Sequence, residues 1–436
     1  MRAPAHATPA PATPAPATPA PATPAPATPA HATPAHATPA HLPELTAIAA
    51  ESGLERVRIL AWRDLEDPEA GGSELHAHRI AGLWAAAGID VELRTSAVAG
   101  GAPALERDGY RVLRRGGRYG VFARRAVEDL LGRHRAGEGL VEIWNGMPFF
   151  SPLWFQGPRV VFLHHVHAEM WRMTLPRWMA RIGEVTEQRL APPLYRSTRV
   201  ITLSESSRTE IVDLLGFDAD RVTVLPPGVD PRFSPGLPGV RTAEPLVVAV
   251  GRLVPVKRFD LLMRALARAK RSVPSLRAVI AGEGYERPRL ESLRRALGAT
   301  AWVSLPGRVG DGELVALYRR AWMVASASLR EGWGMTLTEA GACATPAVAS
   351  DIAGHRDAVA DGRSGLLADG DAEIAAAITR IAVDAGLCAR LGAGALARAR
   401  ALTWDAAARG ALQALAEEAC WSQASYSLPL DAGVVA

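Results

Sequence analysis

The chain begins without any hydrophobic period and then changes character. Over residues 1–41 the units PATPA and HATPA repeat, and neither helical nor alternating spacing of apolar positions can be traced. From Arg56 onward, short apolar runs alternate with amphipathic stretches. The runs at 57–62, 91–95, 110–114, 140–144, 160–164, 200–204 and 222–225 predict strands, and helical spacing falls between several of them, as at 73–87 and 121–133. A proline- and glycine-rich stretch from Pro226 to Ala243 predicts a linker. The alternation then restarts, with strands expected at 246–250, 277–281, 302–305, 323–326 and 347–350 and helices at 259–271, 287–297, 311–320 and 335–344. Further helices are expected at 371–383, at 385–401 and from 403 to about 420. Short apolar strands separated by amphipathic helices make parallel sheets covered on both faces. The expected fold is therefore α/β, with two tandem Rossmann-like doubly wound domains facing a central cleft, and ligands meeting the carboxyl ends of the strands. The expected boundaries are a disordered tail at 1–41, an N-terminal domain at 42–238, a C-terminal domain at 239–402, a helix at 403–421 and a frayed tail at 422–436.

Composition narrows this picture. A length of 436 residues exceeds one ordinary core, and 48% hydrophobic residues are enough to fill two. The net charge is +4 with signs mixed along the chain, which argues against a nucleic-acid partner. Cys343, Cys388 and Cys420 are odd in number and lie outside any metal-ligand spacing, so they read as buried or inert thiols of a reducing cytoplasm. No basic segment followed by an apolar stretch opens the chain, and no run of 18 apolar residues occurs, so neither a secretory signal nor a membrane span is expected. The tail histidines His6, His31, His36 and His41 read as a compositional feature rather than a metal site.

Four motifs carry candidate chemistry. The first is Glu331-Gly-Trp-Gly-Met-Thr-Leu-Thr-Glu339, a glycine-rich loop opening a helix. Gly332 and Gly334 allow close backbone approach, and the amides of Gly334, Met335 and Thr336 would point from the helix start toward a phosphate. Glu331 and Glu339 could line one ligand from the two ends of that turn, and a carboxylate accepts two hydroxyl hydrogen bonds, which suits a sugar. The second is Gly251-Arg252-Leu-Val-Pro-Val-Lys257, a strand end followed by two cations able to clamp a diphosphate without a metal. The third is Gly71-Gly72-Ser73-Glu74, between the first strand and helix, which is not a dinucleotide fingerprint. The fourth is Phe162-Leu163-His164-His165-Val-His167; His164 and His165 point to opposite sides of an extended chain, and one could meet a substrate hydroxyl. Gly282-Glu283-Gly284 and Gly307-Arg308-Val309 follow later strands and could place main chain against a nucleoside.

In this order, over roughly 56–420, these motifs resemble those of the family-4 retaining glycosyltransferases of the GT-B fold. The resemblance implies a retaining transfer of a sugar from a UDP- or GDP-linked donor, with neither a cofactor nor a metal. It implies that Glu339 binds the donor ribose, that Glu331 meets the transferred sugar, and that Arg252 and Lys257 hold the diphosphate beside Gly251 and Gly282. Backbone from Gly334 through Met335, Thr336 and Leu337 would contact phosphate or sugar, and Val309 the base. Gly71 and Gly72 would line the cleft, and His164 would contact the sugar. The N-terminal domain would then serve the acceptor and the C-terminal domain the donor, with the 403–421 helix crossing back. One departure is Arg258, where the family often has glycine. No side chain is an obvious covalent nucleophile.

The rival readings are a nucleotide-sugar epimerase, a phosphorylase with Lys270 as its pyridoxal lysine, and a non-catalytic sugar-nucleotide binder; intact Glu331, Glu339, Arg252 and Lys257 count against the last. The expected setting is the cytoplasm. Trp171, Arg172, Arg177, Trp178 and Arg181 could rest on a membrane near a lipid-linked acceptor, or belong to a helix packed within the domain.

Overall fold

The structure, a computed structural model, describes residues 42–122, 124 and 136–427. The expectations for 1–41, for most of 121–133 and for 428–436 lie outside those residues. Fourteen strands build two sheets among the described residues. The first has the order β3-β4-β2-β1-β5-β6-β7-β8, with β1 at Arg56–Leu60, β2 at Asp90–Thr95, β3 at Ala104–Arg107, β4 at Tyr110–Arg114, β5 at Glu138–Ile143, β6 at Arg159–Phe162, β7 at Arg199–Thr202 and β8 at Val222–Val224. The second has the order β11-β10-β9-β12-β13-β14, with β9 at Leu246–Val250, β10 at Arg277–Ala281, β11 at Val303–Gly307, β12 at Met323–Ser326, β13 at Ala347–Ser350 and β14 at Gly365–Ala368. Each order runs outward from a central strand and then reverses, as in doubly wound nucleotide-binding sheets. All pairs are parallel except β3 with β4, so the first sheet is not wholly parallel as its sequence suggested.

Burial follows the strand period. In the second sheet Val247 and Ala249 face the helix Phe259–Ser272 through Leu262, Met263 and Leu266. The alternate residues Leu246 and Val248 face Tyr318 and Leu337 on the other side. In the first sheet Val57, Ile59, Val91 and Leu93 pack under the helix Gly72–Ala86 through Ala77, Ile80 and Trp84. Leu412 and Leu415, from the long helix Trp404–Ser427, complete that same core, and Trp84 Nε1 donates to Ala408 O at 2.9 Å. That helix continues past Cys420 to Ser427, further than the apolar spacing indicated.

The residues between the sheets, 225–245, carry no helix or strand. They are tied to the start of the last helix: Val229 N donates to Leu402 O at 3.0 Å, and a Cβ on Gly228 would lie 2.1 Å from Trp404 N. Both sheets fall within one contact unit, Ala40–Ala436. Several elements had no counterpart in the sequence reading: β3, β14, and the helices Leu42–Ser52 and Glu205–Leu215. Cys343 and Cys388 are buried, but Cys420 is exposed. No helix among the described residues is long and apolar enough to cross a membrane.

Candidate active site

The strongest motifs leave their sheets where strand order reverses, at β1/β5 in the first and β9/β12 in the second. After β9, Gly251 N donates to Ala281 O at 3.0 Å, and Gly282 N donates to Gly307 O at 2.8 Å. A Cβ on Gly282 would lie 1.9 Å from Gly251 O, so this glycine serves a close crossing of two loops. Arg252 projects from that crossing, and a short turn, Pro255–Lys257, presents the lysine. Arg258 then takes φ 48°, the left-handed region in which a glycine would sit without strain. The family's usual residue has a physical reason there, and this chain bears the strained alternative.

Lys257 Nζ is ion-paired with Glu331 Oε1, and Ser328 Oγ donates to the same oxygen at 2.7 Å. Burial raises the Glu331 carboxyl, but the charge of Lys257, then that of His355, and the hydrogen bonds outweigh it and hold the group below the usual carboxylate range. Gly334, at φ 109°, starts the helix Met335–Ala342. Helix geometry leaves the amides of Met335 and Thr336 without intrahelical acceptors. Leu337 differs from expectation: its amide donates to Gly334 O at 2.9 Å, and its side chain belongs to the core. Glu339, one turn further on, is pushed up to about 7 by burial, against a Tyr318 hydroxyl donating at 3.3 Å; Asp230 and Asp311 add to the rise and Arg232 opposes it. Val309, half-buried, follows β11 beside Arg308, whose Nη2 donates to Pro68 O of the first sheet's loop at 3.2 Å.

The opposite wall comes from the first sheet. Glu74 accepts from the Gly71 amide at 2.8 Å and from Ser73 Oγ at 2.9 Å, and Asn145 Nδ2 donates to Ser73 Oγ at 3.1 Å. The paired glycines admit side chains of the facing wall. A Cβ on Gly71 would lie 3.6 Å from the Arg252 guanidinium, and one on Gly72 would lie 3.1 Å from Met335 Sδ. Gly332 packs against the His164 carbonyl, 2.5 Å from where its Cβ would be.

The structure separates the histidines of the fourth motif. His164 turns into the interior, its Nε2 3.2 Å from His76 Nδ1 and its ring against Phe162. His165 faces the other way, stacked on His167 at 4.9 Å and within the field of Arg330 and Lys257. Burial holds His164 and His167 near 4 and His165 well below its usual range, so all three are neutral at pH 7. Alternation along the strand separated the two adjacent rings but gave no sign of which one turns toward His76. Sequence reasoning also passed over Arg63, Asn145, Arg330 and His355. Arg330 spans the walls, with Nη1 on Glu210 Oε2 at 2.6 Å and Nη2 on Glu169 at 3.4 Å. His355 lies under the glycine loop, its Nδ1 3.0 Å from Ser350 O. Lys270 is remote from all of this, donating to Pro274 O and Leu276 O, which removes it as a pyridoxal lysine. Among the described residues no cluster of three or more His, Cys, Asp or Glu could hold a metal ion.

The model of glycosyl transferases group 1 matches residues 237–398, and that of glycosyltransferase family 4 matches residues 70–233. A D-inositol 3-phosphate glycosyltransferase of Nocardia farcinica is 31% identical over 385 residues, 79% of this chain and 84% of that protein. The chain belongs to the family-4 glycosyltransferases. A D-inositol 3-phosphate glycosyltransferase of Frankia alni is 39% identical over 236 residues; that match spans 50% of this glycosyltransferase and only 58% of the relative's length. Among solved structures, sucrose-phosphate synthase from Thermosynechococcus elongatus matches with a TM-score of 0.69 at 20% identity, covering 86% of this chain and all of the other. The Anabaena protein HepE, solved with UDP and glucose, matches with a TM-score of 0.61 at 18% identity over 85% of this chain and all of the other. Both share the GT-B fold with this glycosyltransferase.

Proposed function

We propose that this glycosyltransferase moves a sugar, with retention, from a UDP- or GDP-linked donor to an acceptor on the first sheet's side of the cleft. The observation that carries the reading is the convergence of Lys257, Glu331, the Met335–Ala342 helix start and Glu339 on one side of the cleft, with His165 on the other. The amides of Met335 and Thr336 and the cations Arg252 and Lys257 stabilise charge that develops on the leaving diphosphate. An ammonium has three donors, so Lys257 can keep Glu331 while reaching a phosphate oxygen. Glu331 accepts from sugar hydroxyls, and Glu339 accepts from the ribose. His165 takes the sugar-contact role first given to His164: it is neutral, so it can accept or donate to a hydroxyl without adding charge. The leaving phosphate takes the acceptor's proton, so no protein nucleophile is required. The named acceptor of the relatives, D-inositol 3-phosphate, makes a phosphorylated polyol the first acceptor to try.

The test is a screen of UDP-, GDP- and ADP-sugars for thermal stabilisation, followed by transfer with and without EDTA. Because fixed cations hold the diphosphate, transfer should survive EDTA. Loss of activity restored by magnesium or manganese would reject that arrangement, and hydrolysis or epimerisation of the donor without acceptor would favour the epimerase reading.

The glycosyltransferase's setting is proposed to be the cytoplasm, against a membrane. The helix Arg177–Val185 and its π-helical continuation Thr186–Leu190 expose Trp178 (67%), Ile182 (53%) and Leu190 (57%), interleaved with exposed Arg177, Arg181 and Arg189. Glu184 and Glu187, on the same stretch, are buried. Apolar side chains within a basic face suit an anionic lipid surface. The protein should sediment with vesicles containing phosphatidylglycerol but not with phosphatidylcholine alone. Trp178→Ser with Ile182→Ser should abolish this while leaving donor binding intact; equal sedimentation of wild type with both vesicle types would refute it.

A further inference from the structure

Two arginines outside the residues assigned to the donor grip one glutamate beside the cleft, and the donor-side Arg252 touches its main chain. Arg63 lies just beyond β1 and is only 6% exposed, its guanidinium 3.9 Å from the Trp62 ring centre and its Nε without a hydrogen-bond partner. Its acidic partner is Glu69, which is 45% exposed: Nη2 meets Glu69 Oε2 at 3.0 Å, and Nη1 donates to Glu69 O at 3.3 Å. Arg118 holds the same carboxylate with both prongs, at 2.8 and 2.6 Å. Arg252 Nη1 donates to Glu69 O at 3.0 Å from the opposite wall.

Burying a guanidinium is costly unless an anion compensates it. The buried Glu74 supplies the larger part of that compensation, and the rest comes from Glu69, a half-exposed side chain on a loop that is shared between two forks. A carboxylate held by paired guanidiniums has the shape and charge of a substrate carboxylate or phosphate. The cluster faces the acceptor side, since Arg63 follows the first sheet's central strand and Trp62 Nε1 donates to Arg118 O at 2.6 Å, fixing Arg118 to the same wall. We infer that Arg63 and Arg118 form a subsite for an anionic group on the acceptor, and that Glu69 fills it until such an acceptor displaces the carboxylate. This rests on the glycosyltransferase reading and names the acceptor's chemistry within it.

The experiment uses the full chain saturated with UDP, so that the donor's phosphate positions are already taken. Binding of inositol 3-phosphate, of glucuronate and of unmodified inositol is measured by calorimetry. Wild type should bind one or both anionic probes more tightly than inositol, and which of them binds tells phosphate from carboxylate. Glu69→Gln removes the internal competitor and should tighten anionic binding on the order of tenfold. Arg63→Ala and the surface variant Arg118→Ala should weaken it by a similar factor, with UDP affinity unchanged. A mere brace for the loop predicts the opposite sign for Glu69→Gln. Weaker or unchanged anion binding in Glu69→Gln, or anion binding that survives loss of both arginines, overturns the inference. If UDP itself fails to bind, the donor reading has failed instead.

Discussion

Replacing Lys257 by alanine should lower kcat/KM by a factor on the order of 100 to 1,000, the cost of removing one preorganised charge from a developing anion, roughly 2.7–4 kcal/mol. Two losses combine. The diphosphate loses a cation, and Glu331 loses the charge that holds its carboxyl down against burial. The second loss has a signature of its own. In the wild type the Glu331 pKa is depressed, so its contribution to stability is present above the unfolded value of about 4.3 and is lost as pH falls through the lower folded value. In Lys257→Ala burial dominates and the folded pKa rises above the unfolded one, so Glu331 should now cost stability at neutral pH and regain it on acidification. Thermal melts of the two proteins between pH 5 and 8 should therefore converge toward the acid side. Parallel melting curves with unchanged turnover would show that the pair is a surface ornament of the loop.

Glu339→Gln should weaken donor binding by about 1–3 kcal/mol, because an amide cannot accept two ribose hydroxyls as a carboxylate does. The pH dependence is the sharper readout. Burial, with Asp230 and Asp311 nearby, raises the Glu339 pKa to about 7, with Tyr318 and Arg232 opposing. Its contribution to stability is fully present below the unfolded pKa and is lost as pH rises through about 7. Ribose binding in the proposed role uses the ionised form. Affinity for a nucleotide-sugar, whose diphosphate diester does not titrate near neutrality, should thus rise between pH 6 and 8, with protons released on binding. Glu339→Gln should be flat over the same range. Glu331→Gln should retain affinity for the bare nucleotide while transfer falls. Equal loss of bare-nucleotide affinity in both glutamine variants would end this division of roles.

Much of the fold was legible because parallel strands buried on both faces leave continuous apolar runs, as β9 does with Leu246–Val250. The elements that escaped notice carry little of that signal. β3 alternates between exposed and half-buried residues at a sheet edge, and Leu42–Ser52 buries little beyond Leu45 and Ala49, directly after a repeat with no period. In the site, local grammar pointed to the glycine loop, Lys257 and Glu331, and the structure pairs Lys257 with Glu331 of that loop. It was not enough to orient the two histidines, because which of the neighbouring rings turns inward depends on His76, 88 residues away in sequence from His164. Nor could it reveal that Arg63, Arg118 and Arg252 meet at Glu69, since those residues come from three separate loops.

The packing of the Trp404–Ser427 helix also fixes an order of events in time. The first sheet is synthesised early, yet Leu412, Leu415 and the carbonyl that receives the Trp84 indole emerge only after the whole second sheet. Until then Trp84, Ala81 and Leu45 lack the part of their cover that Ala408, Leu412 and Leu415 supply. A nascent chain must hold an open apolar face through most of its translation, which is the circumstance in which collapsed, sticky intermediates form. Closing a contact across 324 residues also brings a loop-entropy cost that local pairings avoid. Slow maturation is therefore the expected cost of threading the chain in this way.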